Sequence, residues 1–212
     1  MNKRITVTGL VLIFAFLVFS CRESVKAESV PISTANSSVS GEKYTMDAKE
    51  SVVMWKGSNA FGSNFHTGYI YVSDGNLMID NDLLVAGSAR IDMNTIQDEK
   101  RESDNGLVKH LKDPDFFDVN RFPVSIFEIT NVESDGENAK VTANLTIKEI
   151  THSVTFPTRV EIKDGIAKMT GRLIIDRTQW DIRYKSGRFY ANLADETISD
   201  YIEFNIAIVA KK

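Results

Sequence analysis

The side chains best suited to chemistry are His66, His110 and His152, the lone cysteine Cys21, and the run Asp176-Arg177-Thr178-Gln179-Trp180. An imidazole can relay a proton or ligate a metal near neutral pH. The three histidines are far apart, and none has a second His or Cys at metal-ligand spacing. No metal site and no cofactor is expected. The chain has no Gly-x-Ser-x-Gly elbow, phosphate-binding glycine loop, His-Glu-x-x-His helix or Gly-x-Gly-x-x-Gly turn. No catalytic residue is assigned. Arg177 has two readings. As a polar clamp it would meet an anionic head group through its two-pronged guanidinium. As a structural residue it would pair with Asp176 or other neighbours while Trp180 covers a barrel end, and the second reading is favoured. His66-Thr67-Gly68 is similar: His66 either donates to a ligand or sits in a surface turn. Asp113-Pro114-Asp115 is ordinary turn chemistry.

Cys21 follows a basic start (Lys3, Arg4) and an apolar run from Ile5 to Phe19, with Ser20 just before it. That build is an export signal, too short for a spanning helix of about 20 apolar residues. Val18-Phe19-Ser20-Cys21 resembles a bacterial lipoprotein signal. The resemblance implies lipidation of the Cys21 sulfur and attachment to the cell envelope, at the periplasmic face or the outer membrane. A single cysteine makes no internal disulfide, so stability rests on a packed core. The net charge of −4 and the lack of a basic block speak against nucleic acid. Residues 1–20 read as the signal and 21–41, rich in Ser, Ala, Asn and Glu, as the lipidated cysteine and a flexible tether. Residues 42–212 form one domain.

The elements that must position these side chains are strands. Period-two rows recur, each with one buried face. They are Val53/Trp55/Gly57, Val85/Gly87/Ala89/Ile91/Met93, Val141/Ala143/Leu145/Ile147, Val154/Phe156/Thr158/Val160/Ile162, Met169/Gly171/Leu173/Ile175 and Ile202/Phe204/Ile206/Ile208. Turn signals stand at Ser73-Asp74-Gly75, at Ser134-Asp135-Gly136-Glu137 and at Lys163-Asp164-Gly165. Antiparallel hairpins follow, in a sandwich or a closed barrel. The small inward residues Gly87, Ala89, Ala143 and Gly171 leave room either for large neighbours or for a cavity. Only 98–118 departs from this pattern. It predicts a short helix stopped before Pro114, and Phe116 and Phe117 follow inside an acidic turn.

The ordered motifs from Lys43 to Ala210 resemble the YceI-like family of bacterial lipid- or polyisoprenoid-binding proteins. The matching stretches are Tyr44-Thr45-Met46-Asp47, Val53 to Gly57, His66-Thr67-Gly68, Ile91 to Ile96, His110 to Asp118, Phe122-Pro123 with Phe127, Asn144 to Ile147, Thr151 to Pro157, and Asp176-Arg177-Thr178-x-Trp180. Three places depart from the family pattern: Ala143 before Asn144-Leu145, the Lys148-Glu149-Ile150 turn, and Asp181 after the tryptophan, where a glycine is usual. The resemblance implies an all-β, antiparallel, lipocalin-like barrel of about eight strands, with the short helical segment near one end. It also implies an elongated apolar cavity for an isoprenoid or fatty-acyl chain. On that fold the inward rows predict a lining of Trp55, Tyr69, Ile91, Met93, Phe127, Leu145, Phe156, Met169, Leu173, Ile175 and Phe204. Phe116, Phe117 and Trp180 are candidates for the mouth, and Arg177 and His66 for the head group. The competing reading is an envelope redox or stress accessory protein, or an enzyme, using Asp92, His110 and Asp176 or Arg177 on a quinone-like molecule or with a metal. A homodimer is left open.

Overall fold

Period-two alternation builds nine strands in a computed structural model that describes residues 40–212. Cys21, residues 1–20 and all but the last two residues of the tether lie outside the described residues. The strands are β1 (Glu42–Met46), β2 (Val52–Ser58), β3 (Phe65–Asp80), β4 (Leu83–Asp98), β5 (Val124–Asp135), β6 (Asn138–Ile147), β7 (Ile150–Lys163), β8 (Ile166–Asp176) and β9 (Tyr201–Lys211). All pairings are antiparallel. β2 through β9 pair in sequence, and β9 closes onto β2, giving an eight-strand barrel. β1 is the extra strand. It runs against the far half of β3 and the end of β9, in line with β2. Among the described residues, every strand and core side chain of the barrel comes from 42–211, a segment with a closed sheet and a core of its own.

The turns sort the barrel into two ends. At one end lie the tight turns at 81–82, 136–137 and 164–165, together with the start of β1. At the other lie the β2–β3 loop, the β4–β5 connection, the 148–149 turn and the long 177–200 connection. The helix α1 (Gly106–Lys112) sits at this second end. Asn105 caps it by accepting from Val108 N at 2.9 Å, and the helix stops at Asp113 ahead of Pro114. The predicted helix is therefore present.

Two local expectations are corrected. Ser73-Asp74-Gly75 is not a turn but part of β3, where the register slips between Val72 and Asp74. Gly75 is needed there because a Cβ would come within 2.6 Å of the Ser88 carbonyl and 2.5 Å of Met46 Sδ. The hairpin turn is Asn81-Asp82, with φ of 50° and 59°, a two-residue left-handed turn that matches strand twist. Val85 does not belong to the inward row of β4. It is the extra residue of a bulge between the Met78–Ala86 and Ile79–Leu84 pairs, and Leu84 is buried in its place.

Candidate functional site

An apolar cavity of about 480 Å³ runs inside the barrel and opens at the helix end. Its walls follow from the pleat. Val53, Trp55, Ile91, Phe127, Leu145 and Phe156 face inward, as do Met169, Leu173, Phe204 and Ile206. Several of these inward residues, including Val53, Ile91, Phe127, Phe204 and Ile206, are only half-buried. An inward apolar side chain that water can still reach marks a hollow interior, because a filled core would cover it. The small residues work at a finer scale. A Cβ on Gly171 would press to 2.9 Å from Phe156 Cε2, and one on Gly87 to 3.0 Å from Leu77 Cδ2. They admit large neighbours to the wall, while the hollow lies between the walls.

Near the mouth β4 arches out of register. Four residues, Met93 to Ile96, stand against Ile70 alone on β3. Asp92 Oδ1 accepts from Asn94 N at 3.0 Å, and Thr95 Oγ1 donates to Asp92 O at 2.6 Å while accepting from Tyr71 N at 3.0 Å. The arch lets both Met93 and Ile96 line the cavity. Ser125 donates to Met93 Sδ at 3.1 Å, so this buried hydroxyl is satisfied. The connection after α1 folds Phe116 and Phe117 against each other, edge to face at 5.0 Å, and both border the cavity.

The thirteen expected residues that border the cavity are Trp55, Ile91, Met93, Phe116, Phe117, Phe127, Leu145, Phe156, Met169, Leu173 and Phe204, with His66 and Arg177 at its mouth. Three are elsewhere. Tyr69 has the opposite parity, since Gly68 and Ile70 take the inward places; its ring lies under the Arg101 guanidinium, 4.5 Å away. Ile175 is buried in the core opposite Ile202 and does not reach the open space. Trp180 is 1% exposed and covers the barrel end, donating from Nε1 to Leu145 O at 3.2 Å with His152 edge-on. Inward residues not anticipated include Ile70, Val72, Leu77, Ile96, Ile129 and Tyr184. The signal for Ile70 and Val72 is Gly68, which shares their row and pairs with Trp55 on the adjacent strand β2.

Arg177 is fully buried, at the start of a 3-10 turn over Arg177–Trp180. Its donors are engaged by the protein: Nε to Ser199 O at 2.9 Å, Nη1 to Ile182 O at 2.8 Å and Nη2 to Ile198 O at 3.3 Å. Asp200 Oδ1 stands 3.6 Å from Nη2, and the guanidinium lies 5.5 Å from the Phe116 ring centre. Burial pushes the guanidinium below its ordinary value, opposed by Asp200 and Asp176. Three of its five N–H groups are spent on these carbonyls and the side chain is fully buried, so the arrangement is a staple across the 177–200 connection. Asp176 is likewise engaged. Burial acts to raise it, but Thr178 and Arg188 hold it below the usual carboxylate range. His110 differs from both. Its Nδ1 faces Asp113 and Asp115 at 4.0 and 3.9 Å, and its Nε2 is buried with no partner among the described residues. Tyr184 lies over its ring at 4.3 Å. Asp92 and Asp176 do not join His110: among the described residues no three His, Cys, Asp or Glu side chains converge as a metal site.

Fold and site together define a class: a closed antiparallel barrel with an apolar interior entered from one end. The chain belongs to the YceI-like family, whose domain matches residues 44–210. Its relatives include UPF0312 proteins of Pseudomonas aeruginosa, 29% identical over 101 residues (45% of this chain, 52% of that one), and of Pseudomonas putida, 32% identical over 115 residues (54% and 58%). The chain spans about half the length of the curated relatives it matches. Among solved structures it is similar to BcnA of Burkholderia cenocepacia, with a TM-score of 0.63, 20% identity and coverage of 78% of this chain and 99% of that one. It is also similar to a polyisoprenoid binding domain from Saccharophagus degradans, with a TM-score of 0.59, 11% identity and coverage of 79% and 97%. These likenesses show the barrel fold.

Proposed function

We propose that this chain binds a molecule with an isoprenoid or fatty-acyl chain and sequesters or carries it, without chemistry, in the bacterial cell envelope. The observation that carries this reading is the hollow interior, whose inward apolar side chains are left half-exposed. A cavity of about 480 Å³ lies in the usual range for small-molecule sites. Each methylene taken from water into it contributes about 0.8 kcal/mol. The Saccharophagus degradans neighbour, a polyisoprenoid binding domain, supports the same ligand class. His110 borders the cavity, and its Nε2 is covered and has no partner among the described residues, so a turn of the ring would bring it to a ligand's polar end. Lipidation at Cys21 would keep the barrel beside a membrane source of such molecules.

The test is to purify residues 40–212 from bacterial cells, extract with organic solvent and identify co-purified lipid by mass spectrometry. Farnesol and palmitate are then titrated into the delipidated protein. Expected are a bound chain lipid and saturable uptake. Both fall in Ile91→Trp combined with Leu173→Trp, which narrows the hollow from β4 and β8 and leaves the Tm unchanged or raised. No lipid and no uptake by the unmodified segment, or unchanged uptake by the narrowed variant, would end this reading. For the anchor, Cys21→Ser in the full chain is expected to release the protein from membranes with uptake intact.

A further inference from the structure

The rim around the cavity mouth carries aromatic rings that the core does not use. Phe61 is 71% exposed, Phe65 55%, Tyr190 49% and Phe189 47%. None of the four lines the cavity. Phe61 lies on the β2–β3 loop and Phe65 at the start of β3, while Phe189 and Tyr190 lie on the 177–200 connection. The loop and the connection are bonded together, Ala60 N donating to Thr197 O and Ser199 N to Ser58 O, each at 2.9 Å, and Ile198 N to Lys185 O at 2.9 Å closes the connection on itself. The Phe61 loop is held by Asn59, whose Oδ1 accepts from Ser63 N at 3.1 Å. Residues of the same two loops, Asn59, Asn64, Lys185 and Thr197, border the opening. Exposed aromatics confined to the entrance of an apolar cavity are a feature to be explained, since large apolar side chains gathered on a surface mark a contact.

The charges of the β2–β3 loop and the 177–200 connection balance, and among them only Asp195 has no ion pair with a described residue. Arg183 meets Asp181 at 2.6 Å, Lys185 meets Glu196 at 2.5 Å, Arg188 meets Asp176 at 2.6 Å and Asp200 at 3.1 Å, and Arg172 meets Glu203 at 2.7 Å. Two cations also stand over the rings, Lys56 over Phe65 and Arg183 over Phe189, each at 4.7 Å. A rim of balanced charge, with aromatic rings and cations stacked on them, matches a zwitterionic head-group layer, where Tyr keeps its hydroxyl hydrated and Phe enters the boundary with the acyl chains. It does not match a strongly anionic partner, whose attraction needs an excess of free cations.

We propose that this rim docks on a phospholipid surface, so that the mouth of the barrel opens onto the apolar phase from which a chain lipid enters. The proposal rests on the cavity reading for its purpose, but the contact itself is made by residues outside the cavity. The start of β1 lies at the opposite end of the barrel, where Glu42 pairs with Ile79 next to the Asn81-Asp82 turn. The docking face is therefore separate from the place where the preceding chain attaches.

The test is flotation of residues 40–212 with phosphatidylcholine vesicles, repeated with added phosphatidylglycerol and with added salt, beside farnesol uptake from vesicle-free solution. Expected is binding to phosphatidylcholine that salt and anionic lipid change little. Binding falls about ten-fold or more in the Phe61→Ser, Phe189→Ser, Tyr190→Ser triple variant, while farnesol uptake is retained. Phe61→Ser alone, at a loop tip, gives a smaller fall and guards against misfolding of the triple variant. The proposal is overturned if phosphatidylcholine vesicles do not bind, if binding requires anionic lipid and disappears in salt, or if the variants bind like the unmodified segment. It is also overturned if the rings instead mediate self-association, seen as a sedimentation shift that the triple variant loses. Failure of farnesol uptake with vesicle binding intact would count against the cavity reading and leave the docking surface standing.

Discussion

The indole of Trp55 lies across Gly68, so close that a Cβ at position 68 would stand 2.6 Å from Trp55 Cε2 and nearer still to Cζ2 and the Gln97 carbonyl. The indole Nε1 donates to that same carbonyl at 3.2 Å. One wall of the cavity entrance therefore depends on a missing side chain. Gly68→Ala is expected to destabilise by about 3 kcal/mol, the upper end for overpacking, because the clash includes backbone that cannot rotate away. It should also shift Trp55 emission toward that of a hydrated indole. Urea unfolding and fluorescence check both, and an unchanged midpoint would refute the close approach.

Much of the barrel was legible in the sequence because its strands alternate strictly. Leu145, Phe156, Leu173 and Phe204 were placed by parity alone. Parity failed where the strands break it. Val85 sits in a bulge, and Ile96 reaches the cavity only through the arch after Asp92. Tyr69 failed for a different reason: in Tyr69 to Val72 one row is aromatic and the other aliphatic, so alternation cannot choose a face. Arg177 was read in two ways, and burial decided between them, since the carbonyls that engage it come from residues 182, 198 and 199 across a long connection.

Arg177 is expected to act on stability before it acts on any ligand. Arg177→Met leaves one buried and two part-buried carbonyls without their donor and Asp200 with one cation fewer, a loss of about 3–5 kcal/mol. Arg177→Lys should recover only part, because one ammonium cannot span the three acceptors. Urea unfolding of both variants checks this. A full-length, equally stable Arg177→Met protein that has lost only ligand affinity would restore the head-group role.

The departures from the family pattern at turns carry measurable strain. Lys148 and Glu149 have φ of 51° and 62°, and Asp181 has 57°, all in the left-handed region. A residue with a Cβ costs about 1–2 kcal/mol there, part of which glycine returns through its freer unfolded chain. Glu149→Gly and Asp181→Gly are each expected to stabilise by about 0.5–1 kcal/mol. At Asp181 the exposed pair with Arg183, 2.6 Å apart, is worth less than the relief of strain. Thermal melts of the two variants check this, and a lower Tm in either would show that its turn is not strained.

Lys211 ties the end of β9 to the break between β1 and β2, donating to Asp47 Oδ2 at 2.7 Å and to Glu50 Oε1 at 2.6 Å. Bonding to Asp47, then to Glu50, pushes Lys211 from 10.5 up to about 12. Lys211, helped by the Lys49 amide, in turn holds Asp47 below its ordinary 3.8. The two shifts set opposite limits. A raised lysine contributes stability that is complete below 10.5 and fades as pH climbs through about 12. A depressed carboxylate contributes stability that is complete above 3.8 and fades as pH drops through its lower folded value. Lys211→Met is therefore expected to lower the Tm by a few degrees across the plateau between these limits. The gap to the unmodified protein should shrink at both extremes. Salt should shrink it too, since the pair is exposed. Melts of both proteins across the pH range check the shape. A gap that stays constant from acid to alkali would mean that the lysine acts through its aliphatic stem and not through its charge.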